Sequence, residues 1–215
     1  EDRVIKNPAQ QLDDLAEEIP RTRVFNDAEL RSLWIALEDT TGYRRPLPNG
    51  RDEALMVSRP IRIAIQLAAL LLQRRAEIAE MRVAELDFTE RTWTIPAERT
   101  KAGRTTVVPL GEFSMFLIEE ALALRPIPAE DQPPSPFVFV GRGEIPGAIH
   151  PSAISHAMRD IRAAIGIPDI TVHDLRRSGA TRLARARVSP FILSKLLNHA
   201  NELGGGSSIT MSVYV

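Results

Sequence analysis

Apolar residues recur at helical spacing from Asn26 to Leu37, where Leu30, Leu33, Trp34 and Leu37 share one face of FNDAELRSLWIAL. Asn26 can cap the first turn, and Glu29, three residues on, can return a bond to the cap amide. TTGYRRPLPNGRDEAL then loses any period and reads as a turn-rich connection. RIAIQLAALLLQ is apolar on nearly every side, which places its helix in the middle of the domain. RRAEIAEMRVAELD predicts a second helical segment or a continuation broken near Gln73. In LDFTERTWTIPAERTKAGRTTVVPL the pattern changes. Leu86 and Phe88, Trp93 and Ile95, and Val107 with its neighbours predict three short strands separated by polar turns. FSMFLIEEALAL is helical again, DQPPSPF is a loop, and FVFV predicts a short buried strand. HPSAISHAMRDIRAAIG is an amphipathic helix ended by Gly166. Thr171 caps a helix through DLRRSGATRLARA, with Asp174 placed to answer it. Ser189 and Pro190 open a last helix through FILSKLLNHA, where the missing proline N–H costs nothing. NELGGGSS reads as a flexible loop leading to Ile209 and Tyr214. The pattern as a whole predicts a mainly α fold with a small three-stranded antiparallel β-sheet projecting from it.

The stretch before this pattern is polar and holds Pro8 and Pro20. It predicts a linker remnant over residues 1–21 and a compact unit over 22–215. A length of 215 residues with 44% hydrophobic content suits one main domain. With no cysteine, disulfides and thiolate metal sites are excluded, and the composition fits a reducing interior. The longest apolar run, Leu67 to Leu72, is far too short to span a bilayer, and the start lacks a cleavable signal pattern. These features lead to the expectation of a cytoplasmic protein. The formal net charge of -1 argues against a polyanionic partner, but its distribution argues for one. Between Thr171 and His199 stand Arg176, Arg177, Arg182, Arg185, Arg187 and Lys195 against Asp174 alone.

Candidate chemistry gathers in the same region. His173 and Arg176 lie three apart on a first helical turn, so they share a face beside N–H groups that favour an anion. Arg74 follows the most apolar helix, where an unpaired guanidinium would be costly, and Glu77 stands three residues on to hold it. Arg44 is the weaker candidate, because Leu47 occupies the corresponding place. Lys101 sits in the turn TKAG between two presumed strands, from which it could reach a site built by other elements. His199 closes the last helix. Tyr214 is one of only two tyrosines; with a free pKa of about 10 it needs a base or close cations to act as a nucleophile. Taken singly, each residue also has an ordinary explanation as a solvated side chain, an ion pair or a helix cap.

In order, these motifs resemble the catalytic domain of the tyrosine recombinases, the phage-integrase family. They are Arg74-Arg-Ala-Glu77, TKAGRTTVVPL with Lys101, HDLRRSGAT with His173 and Arg176, LLNH with His199, and the tyrosine of ITMSVYV. The resemblance covers roughly Thr22 to Val215. It implies that Arg74 and Arg176 clamp the scissile phosphate, with Glu77 supporting Arg74. Lys101 would protonate the departing 5'-hydroxyl, His173 would shuttle a proton and His199 would donate to the phosphate. Tyr214 would attack phosphorus and become joined to the 3' end, with no metal or nucleotide cofactor. It further implies site-specific DNA integration and excision, double-stranded DNA attachment sites as partners, a synaptic tetramer of identical protomers on DNA, and a nucleoid-associated setting in bacteria or phage. A domain without its usual flanking parts would be largely monomeric.

The departures are local. The family's usual TGLR is here LLQR, and Tyr214 stands fifteen residues beyond His199, a long gap that, like LLNH, resembles the prophage-type integrases. The glycine-rich tether suggests a tyrosine that moves between docked and undocked positions. Two other readings stay open: a type IB topoisomerase-like enzyme that nicks and reseals one strand, and a catalytically silent DNA-binding module of the same fold.

Overall fold

The computed structural model describes residues 22–128, 130–142 and 147–198. The predicted linker over residues 1–21, His199 and Tyr214 lie outside the described residues.

Helix α1, Asp27–Glu38, begins with the expected reciprocal cap: Asn26 Oδ1 accepts from Glu29 N at 2.8 Å, and Asn26 N donates to Glu29 Oε2 at 2.9 Å. A two-stranded antiparallel hairpin follows, β1 (Arg44–Pro46) and β2 (Asp52–Ala54). It replaces the turn-rich connection expected from the sequence. Helix α2, Arg59–Leu71, is the central element, with Ile63, Ala64, Ile65, Leu67, Ala68 and Leu71 buried. It packs against α1 and against α4 (Glu112–Ala123), α5 (Pro151–Ala164) and α6 (Val172–Arg185). An apolar surface on nearly every side is thereby removed from water, the largest stabilising term open to such a helix.

The break near Gln73 is a change of direction. Leu72 takes a left-handed conformation, φ 55°, and after Gln73 and Arg74 the chain enters the short helix α3, Arg75–Ala79. Arg74 is therefore the N-cap of α3, one turn beyond the end of the core helix where the sequence placed it. The tight corner is filled from α6. A Cβ on Gly179 would lie 2.2 Å from Leu72 Cδ2, so a glycine lets α6 approach that closely.

Strands β3 (Leu86–Asp87), β4 (Thr92–Ile95) and β5 (Thr106–Pro109) form one antiparallel sheet in the order β3-β4-β5. Its register pairs Trp93 with Val108 and Ile95 with Thr106, and these side chains form the buried face. FVFV contributes Val138 and Phe139 to the core, but makes isolated bridges (Arg82 with Phe137, Val140 with Ala148) in place of the predicted strand. Helix α7, Pro190–Leu196, closes the described fold. It packs on α6, with Leu72, Ala180 and Leu197 forming a small apolar cluster behind it.

Candidate active site

The corner after α2 and the start of α6 face one another across a cavity of roughly 700 Å³ whose third wall is α5. Arg74, His173 and Arg176 all line it. Residues separated by about half the chain are thus brought to one place. Arg74 is held at both ends of its residue. Its backbone N–H donates to Glu77 Oε2 at 2.7 Å and its guanidinium to Glu77 Oε1 at 3.1 Å, with the Glu77 side chain 3% exposed and that of Arg74 27%. One carboxylate therefore caps α3 and orients the arginine.

Support continues behind Glu77. Arg99 donates to the Glu77 carbonyl at 3.1 Å and forms a buried ion pair with Glu85, which also accepts from Trp93 Nε1 at 3.0 Å. The sheet is thereby tied to the element that carries Arg74.

Helix α6 opens on the cap expected from HDLR. Thr171 N and Oγ1 both donate to Asp174 Oδ2 at 2.9 Å, and Asp174 is fully buried. This fixes the first turn that carries His173. Arg176 is 3% exposed, and its terminal nitrogens donate to two main-chain carbonyls, those of Leu72 and Leu197. His173 is exposed at the cavity, yet the protein packed around its imidazole holds its pKa below the ordinary 6.5. Arg176, Arg177 and Arg74 push in the same direction, with Asp174 opposing them. The ring is neutral at neutral pH and can accept a proton.

The α5 wall brings Ser155, Arg159 and Arg162, spaced four and three residues apart on one helix face. Ser155 accepts from Arg75, and Arg162 donates to Ile170 O at 2.7 Å, which fixes the loop entering α6. The sequence reading missed this wall, although its spacing on an amphipathic helix was visible.

Lys101 is elsewhere. It lies at the exposed tip of the loop before β5, outside the cavity wall. The base of that loop is closed in both directions, Arg104 N donating to Thr100 Oγ1 at 3.0 Å and Thr100 Oγ1 to Arg104 O at 2.8 Å. Of the residues singled out from the sequence, three meet at the cavity, Lys101 does not, and His199 and Tyr214 lie outside the described residues.

A cavity walled by arginines and opened by a helix N-terminus suits an anion. Comparison with known proteins gives this geometry a lineage. The family model described as the Phage integrase family matches residues 52–205. The chain belongs to that family. It is 27% identical over 146 residues to the prophage integrase IntA of Escherichia coli (strain K12), covering 68% of this chain and 33% of that protein. Identity to the tyrosine recombinase XerC of Rhizobium meliloti (strain 1021) is 32% over 127 residues, 56% of this chain and 38% of that one. The chain thus spans about a third of the length of these curated relatives.

Solved structures agree on the fold. The crystal structure of XerA recombinase superposes with a TM-score of 0.61 at 20% identity, covering 86% of this chain and 57% of that one. The Tn1549 transposon integrase in complex with a circular intermediate DNA gives 0.65 at 15%, covering 94% and 64%. The mainly helical architecture with a small antiparallel sheet is therefore the fold of phage-integrase catalytic domains. No helix among the described residues is long and apolar enough to cross a membrane.

Proposed function

We propose that this chain carries the strand-transfer centre of a site-specific DNA recombinase, with Tyr214 as nucleophile and the Arg74, His173 and Arg176 cavity as the seat of the scissile phosphate. The observation that carries the reading is the convergence of two arginines and a neutral imidazole, from opposite halves of a phage-integrase chain, on one anion-suited cavity.

In this reading the Tyr214 oxygen bonds to phosphorus as the bond from phosphorus to the 5'-oxygen breaks. The tyrosine proton passes to His173, and Lys101 supplies a proton to the departing 5'-oxygen. Arg74 and Arg176 act mainly on the charge that gathers on the non-bridging oxygens in the pentacovalent transition state, where fixed cations in a dry site contribute most. His199 adds a hydrogen bond to the same oxygens. The product is a 3'-phosphotyrosine, and the 5'-hydroxyl of a partner strand reverses the step. One phosphodiester is exchanged for another, so joining needs no nucleotide. Lys101 enters by movement of its loop tip on the Thr100–Arg104 base. The partners are double-stranded attachment sites and further copies of the chain in a synaptic tetramer.

Covalent capture tests this. The protein and its Tyr214→Phe variant are incubated, without divalent metal, with nicked suicide duplexes from candidate attachment sites. The expected result is a protease-sensitive protein-DNA adduct lost in the variant. Joining of the trapped strand to a second duplex supports recombination, and resealing in place alone supports the topoisomerase-like alternative. An adduct that survives Tyr214→Phe removes Tyr214 as nucleophile, and no adduct from either protein leaves a DNA-binding module.

A further inference from the structure

Gln73 separates Leu72, the left-handed end of α2, from Arg74. It is 2% exposed. Its Nε2 donates to Leu71 O at 2.9 Å and to Leu196 O at 3.0 Å. Arg176 repeats the arrangement one residue along, donating to Leu72 O and Leu197 O. Two consecutive carbonyls at the end of α2 are thus stapled to two consecutive carbonyls at the end of α7, once by an amide and once by a guanidinium. All four are helix-end carbonyls, acceptors that the helices themselves leave without a partner.

The two staples differ in what else they must do. Both line the cavity, but on the strand-transfer reading Arg176 must turn donors to the scissile phosphate. A guanidinium has five N–H donors in a fixed fork, so any rotation toward a ligand disturbs its grip on the carbonyls. Gln73 carries no charge that would draw it to the phosphate, so it can hold Leu196 O throughout.

The Gln73 amide serves through its donor. Its Oε1 is buried without a hydrogen-bond partner among the described residues, and the cluster beside it, Leu72, Ala180 and Leu197, is apolar. The two carbonyls facing Nε2 fix the orientation of the amide, so the unpaired atom is the oxygen. Leucine, the residue at this place in TGLR, would remove that unpaired acceptor but leave Leu71 O and Leu196 O without their donor, so the amide is kept for its N–H groups. The chain beyond α7 passes through Asn198, 6% exposed and left-handed at φ 43°, and the next residue in sequence is His199.

We propose that Gln73 is a positioning residue: its amide anchors the end of α7 to the end of α2 while Arg176 engages the phosphate, and so sets the point from which the chain leaves toward His199 and Tyr214. This rests on the strand-transfer reading above.

The test uses Gln73→Leu and, should that fold poorly, Gln73→Met, which keeps the length of the side chain without its donor. Three quantities are measured on each protein: single-turnover adduct formation at saturating suicide duplex, duplex affinity, and hydrogen exchange of the Leu197 and Asn198 amides together with the thermal midpoint. The expected result is a loss of about 10²-fold in the adduct rate, the scale of an ångström-level misplacement. Affinity stays within about twofold, exchange at the end of α7 accelerates, and the midpoint falls modestly because Leu71 O and Leu196 O lose their donor; the rate is measured far below that midpoint, where the variants are folded. An unchanged rate, unchanged exchange, or a rate loss that vanishes well below the midpoint overturns the proposal. If the unsubstituted protein forms no adduct, the strand-transfer reading falls and takes this role of Gln73 with it; an adduct with equal rates in the variants overturns Gln73 alone.

Discussion

His173 brings a pH dependence to the cavity. Burial, then Arg176, Arg177 and Arg74, hold its protonation below the ordinary range against the opposing pull of Asp174. The unfolded chain takes up this proton near pH 6.5, whereas the folded protein takes it up only at lower pH. Between those two values the unfolded state binds more protons, so His173 disfavours folding progressively as the pH falls through the window and has no effect above it. An NMR titration of the His173 ring is expected to show a midpoint below 6.5, with Arg177→Ala moving it upward. A midpoint at or above 6.5, or one indifferent to Arg177, would contradict the electrostatics described. At this scale the sequence was informative wherever the physics is local. Glu77 was found behind Arg74 because the pair is three residues apart, as was Asp174 beneath Thr171. The carbonyl partners of Arg176 were not legible, since they lie 104 and 21 positions away and a carbonyl leaves no trace in residue type.

Among the elements, α6 does most to build the site, because its capped start places His173 and its second turn buries Arg176. Asp174 holds that start by accepting two hydrogen bonds from Thr171 in a buried setting. Replacing it with alanine leaves both donors unmet. Asp174→Ala is expected to cost about 2 kcal/mol, read as a lower midpoint in denaturant unfolding with an unchanged slope. A loss below a few tenths of a kcal/mol would show that the cap does not hold the helix. Elements announced themselves where burial imposes a period. Trp93 and Ile95 gave β4 away, and the capped helices followed from Asn26, Thr171 and Ser189. The β1–β2 hairpin did not, because its strands are largely exposed on both faces and carry no alternation. It is held by cross-strand Arg45–Glu53 pairing and by Arg45 reaching Asp160 of α5, contacts that leave no hydrophobic pattern. FVFV misled in the other direction, since a short apolar run fits a buried loop segment as well as a strand.

The whole molecule reconciles a formal net charge of -1 with the anionic partner proposed for it by position. Arg74, Arg75, Arg159, Arg162 and Arg176 converge on one cavity, while many carboxylates are spent elsewhere in pairs such as Glu120 with Arg59 and Glu53 with Arg45. Composition averaged over the chain hides this, because what a phosphate meets is the local field. The order of motifs along the sequence foretold that Arg74, His173 and Arg176 would meet; the α5 wall that completes their cavity came only with the fold. The central claim is that this cavity seats the phosphate to be cut, and a structure of the Tyr214→Phe protein on an attachment-site duplex tests it most directly. The account predicts one phosphate within hydrogen-bonding distance of Arg74, Arg176 and His173, with the end of α7 still anchored by Gln73. A duplex that leaves the cavity empty and lies against another face would contradict it.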